Sequence, residues 1–567
     1  MRQSRILGAT LKQEPKDTSS QAHRFLLRGG FVKPAGSGLY AVMPLLKKVL
    51  DRLSGTVQAR LEEHGFAACL LPVLQSRSNQ EQSGPWSPQP GQALAIGHQR
   101  GAGLGLGPGI EALFAGLVKS EVSAAKHLPK RIQAITPLFW DDLRSRQGLV
   151  RMRESLSLQA MGCDADQAGA EDTARRFQDT ALDLCSALEL EAGWVSAASS
   201  PRTGASDQAL AIWTRQGSDT VLTCPLCHSA ATMDRAWSRL EHFAHDEPVR
   251  ALEAVHGPGL IGVEPLARFL DLPVWRTTKT LLMKADDRMV AVMVRGDCDV
   301  SEAKVRRHLQ CAELRLASAQ EIQDLTGAKV GYAGPIDLPQ GVLVLADEAT
   351  RDRVNFECGA NRTDYHLINV NFERDLDWPV FGDFKQAAPG HFCPHCSQGR
   401  LEGRQAEIVG WSTILDAAFA RQGKCLVQLP QGGSAPMAFT SCGLDLGAMA
   451  VALVEHHHDA SGVVWPLEIS PFQVHLVGLN LEKEDISSRA ERLYRDLRQS
   501  GLSVLFDDRP VRAGEKFGDA DLLGLPVRVT LSARTWADSE VELKLRNRDD
   551  PQRVPLDRAV PTLTALV

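Results

Sequence analysis

From Gln21 to Leu61 apolar residues recur every three or four positions, most regularly through LLKKVLDRLSGTVQARLEEHG. That period predicts helix, stopped at Gly65. A strand is expected in FAACLLPVLQ. Between Ser76 and Gly109 the pattern fades into Gly, Ser, Gln and Pro. There, GAGLGLGPG has the glycines of a phosphate loop but no G-x-x-x-x-G-K-[ST] and no strand–helix–strand frame, so a turn between strands is expected. Past Pro108 the order predicted is a helix (IEALFAGLVKSEVSAAKHL), the strand ITPLFW, the charged loop DDLRSRQG, a returning strand over Leu149–Leu158 and an amphipathic helix over 168–188. Residues 252–375 change character, with short runs such as TLLMKA, MVAVMVRG and LINVNF alternating with helices, as in a self-contained α+β insertion. After Cys396 antiparallel-type strands resume, then a helix over 447–458, then a tail reading β-α-β-α-β from Pro471.

A chain of 567 residues is too long for one core, and three or four domains are expected. The boundaries suggested are 1–223 and 397–466 for a split core, 224–396 for the insertion and 467–567 for the tail. Charged residues at 23%, hydrophobic ones at 43% and a formal charge of −6 describe an ordinary globular protein and argue against a surface that binds polyanions generally, so DNA is not an expected partner. The longest apolar run, GAMAVALV, is far short of the ~20 residues that span a bilayer. MRQSRILGATLKQEPKD has no apolar h-region, so no membrane partner and a cytoplasmic location are expected.

Twelve cysteines in such a chain are not a disulfide scaffold. Two pairs stand out, Cys224-Pro-Leu-Cys227 and Cys393-Pro-His-Cys396. Each turn can present two thiolates to one tetrahedral ion, so structural zinc is one reading, beside free thiols and a redox role. Bringing the pairs together requires a whole domain inserted between two neck strands. The His456-His457-His458 run is not read as a metal site, because consecutive helix residues point in different directions.

Several segments together resemble the bacterial-type prolyl-tRNA synthetase family: SGLYAVMPLLKKVLDRL, FWDDLRSRQGLVRMRE, TTKTLLMKA, VVWPLEISPFQVHLVGLN and VLFDDRPVRAGEKFGDADLLGLPVRVTL. The match is colinear over essentially the whole chain. It implies an α+β multidomain fold: a class II antiparallel-sheet core, an inserted editing domain and a C-terminal α/β anticodon-binding domain. A homodimer through the first signature motif, ending near Pro72, is implied as well.

The chain departs from that family where ATP and proline would be activated. The second signature strand normally carries an arginine that grips the α-phosphate; here the position is Trp140. The third motif normally ends G-x-G-x-x-R; counting back from Glu455 puts Ala448 at the arginine. The T-x-E substrate loop becomes Gly109-Ile110-Glu111, and G-H-I-F becomes Gly410-Trp411-Ser412-Thr413. Adenylate formation builds negative charge at phosphorus, and losing one positioned donor there costs about 3 kcal/mol. Arg151 and Arg153 are the nearest candidate replacements.

Other family positions are kept. Arg144 and Arg146 lie on the loop that in the family reads the tRNA acceptor end, although two loop arginines are ordinarily just solvated. In the insertion, Lys279 matches the lysine placed beside the ester of a misacylated 3′ end. Gly331 and Pro335 match a G-x-x-x-P loop that shapes a small pocket, and His366 matches the family histidine. Lys279 suits a developing oxyanion, whereas His366, with no carboxylate partner visible in the sequence, is expected to orient substrate. The leading expectation is a tRNA-binding protein, with tRNA(Pro) as the expected partner, that hydrolyses alanyl-tRNA(Pro) and is impaired in proline activation. An active proline–tRNA ligase using ATP and Mg, and a non-catalytic tRNA-binding or regulatory paralogue, are the alternatives.

Overall fold

The structure is a computed structural model that describes residues 1–15, 18, 20–77, 94–96, 103–107, 109–139, 148–150, 152–197, 204–241, 247–311, 313–396, 398–429 and 432–567. The chain divides into two compact units. One is Met1–Trp194, Pro201–Asp219 and Gln405–Val567; the other is Val195–Ser200 and Thr220–Arg404.

In the first unit an antiparallel sheet runs, side by side, through Gly204–Trp213, Glu402–Leu415, Ala438–Asp445, Glu154–Asp164 and Lys130–Phe139, with Ala67–Ala68 added in parallel. Helices Gln21–Arg28, Pro44–Glu63, Gln167–Ala187 and Leu446–His456 bury their apolar residues in the core shared with this sheet. Every residue from Leu446 to Val454 is buried, which is why that stretch reads as apolar all round.

The single long helix expected over Gln21–Leu61 is instead a helix (Gln21–Arg28), a hairpin (Val32–Gly36 with Leu39–Val42) and a second helix (Pro44–Glu63). Gly30 takes φ +66° where a Cβ would collide with the Gly8 carbonyl, Pro34 lacks an N–H, and Gly38 turns the hairpin at φ +69°. Pro44 then sits in the first turn of the second helix, where its missing N–H costs nothing. The returning strand expected over Leu149–Leu158 is a 3-10 turn at Gly148–Val150 followed by the strand Glu154–Asp164. The helix expected to reach Leu128 stops at Glu121, and Ala125–His127 forms a separate 3-10 turn. GAGLGLGPG is no mere turn: Leu104–Leu106 within it is a strand pairing with Leu74–Ser76 and with Leu94–Ile96.

The tail, also in the first unit, has parallel strands Val504–Asp507, Val474–Gly478 and Val527–Leu531, extended antiparallel by Glu540–Leu545 and Gln552–Pro555. A terminal helix, Leu556–Leu566, closes its core through Ala559 and Leu563. The expected β-α-β-α-β pattern missed that helix because Pro561, which lies inside it, reads in sequence as a helix breaker.

The second unit holds a mixed sheet ordered Leu314–Leu316, Thr278–Ala285, Arg288–Arg295, Leu343–Asp347, Val380–Gly382. Beside it in the sequence, Glu253–His256, Tyr365–Val370 and Phe356–Gly359 form a smaller antiparallel sheet. Among the described residues no helix is long and apolar enough to cross a membrane.

Candidate functional site

Alternate residues of the strand Ala438–Asp445 share one face, so Ser441, Gly443 and Asp445 form a row. Each carries a different piece of the candidate activation site. The Ser441 hydroxyl donates to Glu111 Oε1 at 2.7 Å, fixing the carboxylate kept from the substrate loop. Gly109, just before it, lends its carbonyl to the Gln75 amide at 2.7 Å. Trp411 is the register partner of Gly443, and its six-membered ring lies where a side chain on Gly443 would start. Asp445 caps helix Leu446–His456, accepting the Ala448 N–H at 3.0 Å. Burial pushes the Asp445 carboxyl up from its usual range, against the pull of the Ala448 and Gly447 N–H groups.

Ala448 itself is 1% exposed and belongs to the main core. The neighbouring Gly447 has Met152 Cε and the Leu149 carbonyl over it. Arg153 is held by its N–H to the Gly38 carbonyl at 3.0 Å, and its Nε has no hydrogen-bond partner among the described residues. Trp140, Arg144, Arg146 and Arg151 lie outside the described residues.

In the insertion, Lys279 lies on Thr278–Ala285 and pairs through Nζ with Asp299 Oδ1 at 2.5 Å. Gly331 has φ +97°, with Ile261 packed where a Cβ would be, so only glycine suits this position. Gly334 lies backbone against backbone on Gly359, and its N–H donates to Asn361 Oδ1 at 2.8 Å, which holds the loop ending at the buried Pro335. Tyr332, inside that loop, donates to Asp364 Oδ1 at 2.9 Å, and its ring lies tilted against the His366 ring with centroids 5.5 Å apart. His366 and the Gly331–Pro335 loop are thus brought together.

The expectation that His366 has no carboxylate partner is corrected. Glu357 Oε1 lies 3.3 Å from its Nδ1, and the Leu260 carbonyl lies 3.2 Å from Nε2. Glu357 and His366 are nine positions apart but on adjacent antiparallel strands, so only strand pairing reveals the contact. Close by, burial pulls the Arg353 guanidinium down to about 10, partly opposed by Glu357.

The two CPxC turns meet. Cys224 and Cys396 are 3.6 Å apart, as are Cys227 and Cys393, and all four ligand atoms lie within 4.8 Å of one another. Tetrahedral Zn–S bonds of about 2.3 Å put sulfurs about 3.8 Å apart. The donor set therefore fits such an ion. The amides of His395 and Gly399 donate to Cys393 and Cys396 at 3.4 Å, and a side chain on Gly399 would collide with Cys224 Sγ. Burial alone would raise the Cys393 thiol, but the Ser229 hydroxyl and the Cys396 and His395 amides bring it down to about 6, toward the thiolate a metal requires.

His457 and His458 give their ring nitrogens to the carbonyls of Leu188 and Val454, so that run is structural. In the tail, Lys516 is 2% exposed and donates to the Gly478 and Asp507 carbonyls, and Arg509 makes a two-bond pair with Asp507. These motif residues hold the fold together.

Residues 258–376 match the aminoacyl-tRNA editing domain and residues 473–566 the anticodon binding domain. The chain is 31% identical to a proline–tRNA ligase of Citrifermentans bemidjiense over 100% of its own length and 99% of the relative's. It is 32% identical to that of Dehalococcoides mccartyi, covering 98% and 97%. The chain belongs to the prolyl-tRNA synthetase family. Its fold also matches a prolyl-tRNA synthetase from Cryptosporidium parvum solved with halofuginone and AMPPNP, with TM-score 0.57 at 10% identity, covering 99% of this chain and 79% of that one. If Ala448 is counted at the arginine of a G-x-G-x-x-R run, as expected from the sequence, Gly443 takes the first glycine position and Asp445 the second.

Proposed function

We propose that this member of the prolyl-tRNA synthetase family binds tRNA, is impaired in ATP-dependent proline activation, and hydrolyses mischarged alanyl-tRNA(Pro). The observation that carries the reading is the Asp445 cap. A helix N-terminus is a ready anion site because its N–H groups and dipole face outward. Here one of those N–H groups is taken by a carboxylate, and the residue expected to supply a guanidinium is a buried methyl. A triphosphate does not fit that donor set.

Hydrolysis asks less of the protein. A water oxygen bonds to the ester carbon, the bond from that carbon to the ribose oxygen breaks, and the ribose oxygen leaves with a proton from the water. The developing oxyanion needs a cation, and the pocket must exclude larger side chains. Lys279 supplies the cation; its partner Asp299 is 77% exposed and can be exchanged for substrate because surface pairs are weak. The Gly331–Pro335 loop forms the pocket wall, and His366 orients rather than abstracts. The domain boundaries 1–223, 224–396, 397–466 and 467–567 belong to the same reading, as do Arg144 and Arg146 as tRNA contacts, zinc at the four cysteines, and a homodimer. The dimer is supported by an exposed apolar run before Pro72, where Leu70 is 93% exposed. Sedimentation of Leu70→Asp should give monomer where the unaltered chain gives dimer.

The test is hydrolysis of alanyl-tRNA(Pro) by purified protein, with Lys279→Ala slower by about 100-fold. Unchanged hydrolysis in that variant would remove the role given to the lysine. The second reading, an active ligase using ATP and Mg, is favoured by the Glu111–Ser441 bond, which fixes the carboxylate of the expected substrate loop.

A further inference from the structure

Glu357, 2% exposed, sits at the centre of a buried polar line. One of its oxygens faces His366 Nδ1 at 3.3 Å, and the other accepts the N–H of Thr278, the residue before Lys279, at 3.1 Å. Arg353, 5% exposed, secures the same segment, donating to Thr278 Oγ1 at 2.9 Å and to the Arg276 carbonyl. At the far end His366 Nε2 meets the Leu260 carbonyl, one residue before the Ile261 that packs on Gly331. The strand of the lysine, the histidine and the wall of the pocket are therefore joined through one carboxylate.

The partners dictate the proton positions. A carbonyl oxygen can only accept, so His366 Nε2 carries hydrogen. Nδ1 faces Glu357 Oε1 at 3.3 Å; with that carboxylate ionised it only accepts, Nδ1 then carries hydrogen too, and the ring keeps no lone pair to take a proton from water. We propose that Glu357 is a positioning residue for ester hydrolysis, holding His366 as a doubly protonated clamp and fixing the strand that carries Lys279. This rests on the hydrolase reading above and deepens it.

The test combines kinetics with a spectroscopic readout on the full chain. Glutamine at this position keeps an acceptor for Thr278 and offers His366 Nδ1 an amide donor, which favours a neutral ring. With ¹⁵N-labelled histidine and His366→Asn for assignment, the unaltered protein should show both His366 nitrogens protonated at neutral pH, and Glu357→Gln only Nε2. Alanyl-tRNA(Pro) hydrolysis by Glu357→Gln should lose about 10- to 100-fold in kcat with KM within about twofold. Circular dichroism and the thermal midpoint identify a variant that has merely failed to fold, in which case the ring protonation of the unaltered protein decides. A singly protonated His366 in the unaltered protein, or a folded Glu357→Gln with undiminished kcat, overturns the positioning role while leaving the hydrolase reading intact. Absence of hydrolysis in the unaltered protein overturns the hydrolase reading and with it the kinetic role; the protonation result then tests only the clamp.

Discussion

Purified protein given proline, ATP and labelled pyrophosphate should exchange label at least about 1,000-fold more slowly than one of the full-length ligases it resembles. The magnitude follows from the charges. One positioned donor on a developing phosphoryl charge is worth roughly 100- to 1,000-fold, and in the reading we propose the third motif has Ala448 in place of its guanidinium and the Asp445 carboxylate beside it. Restoring the arginine alone should not rescue exchange. Ala448 is 1% exposed within the core that also holds Leu149 and Met152, so Ala448→Arg overpacks that core, buries an unpaired charge and should cost about 3 kcal/mol of stability or more. Asp445 would still hold the Ala448 amide. Exchange at an ordinary synthetase rate, in material free of host enzyme, would establish the ligase reading instead.

The second large effect concerns the cysteine cluster. Protein expressed without added chelator should carry about one zinc ion per chain, and stripping it should open the segment around Cys224–Cys227 and Cys393–Cys396 to protease. Structural zinc sites bind with apparent free energies on the order of 10 kcal/mol near neutral pH, so the change in thermal midpoint should be large rather than marginal. Cys393→Ser should reproduce the loss, since Cys393 is fully buried and is the thiol drawn furthest toward thiolate. The cluster also packs with Leu222, Ala236, Ala387 and Leu401, so an ion there would tie together the ends of a small apolar core. Elemental analysis that finds no metal, with a midpoint indifferent to chelator, would leave four reduced thiols and no zinc site.

Much of this was open to reading from residue order alone. Family and the succession of editing and anticodon-binding domains depend on colinear motifs, and those are one-dimensional. The CPxC pairs declared two-thiol turns because a turn is a local object. Helices Gln167–Ala187 and Leu446–His456 were anticipated within a residue or two, because apolar periodicity registers which face is buried. Local pattern failed at Gln21–Leu61, where glycines and Pro34 outweighed a helical period, and at Leu104–Leu106, where pairing with distant strands made a strand of a glycine-rich run.

Residue order therefore set the kind of protein this is, the order of its parts and the inventory of groups available for chemistry. It could not say which of those groups would meet. The Glu357–His366 pairing, the convergence of four sulfurs, the burial of Lys516 and the closure of a helix end by Asp445 all depend on distances between segments remote in the chain. Such distances exist only once strands pair and the core closes, because water must leave before a carboxylate commits itself to one partner.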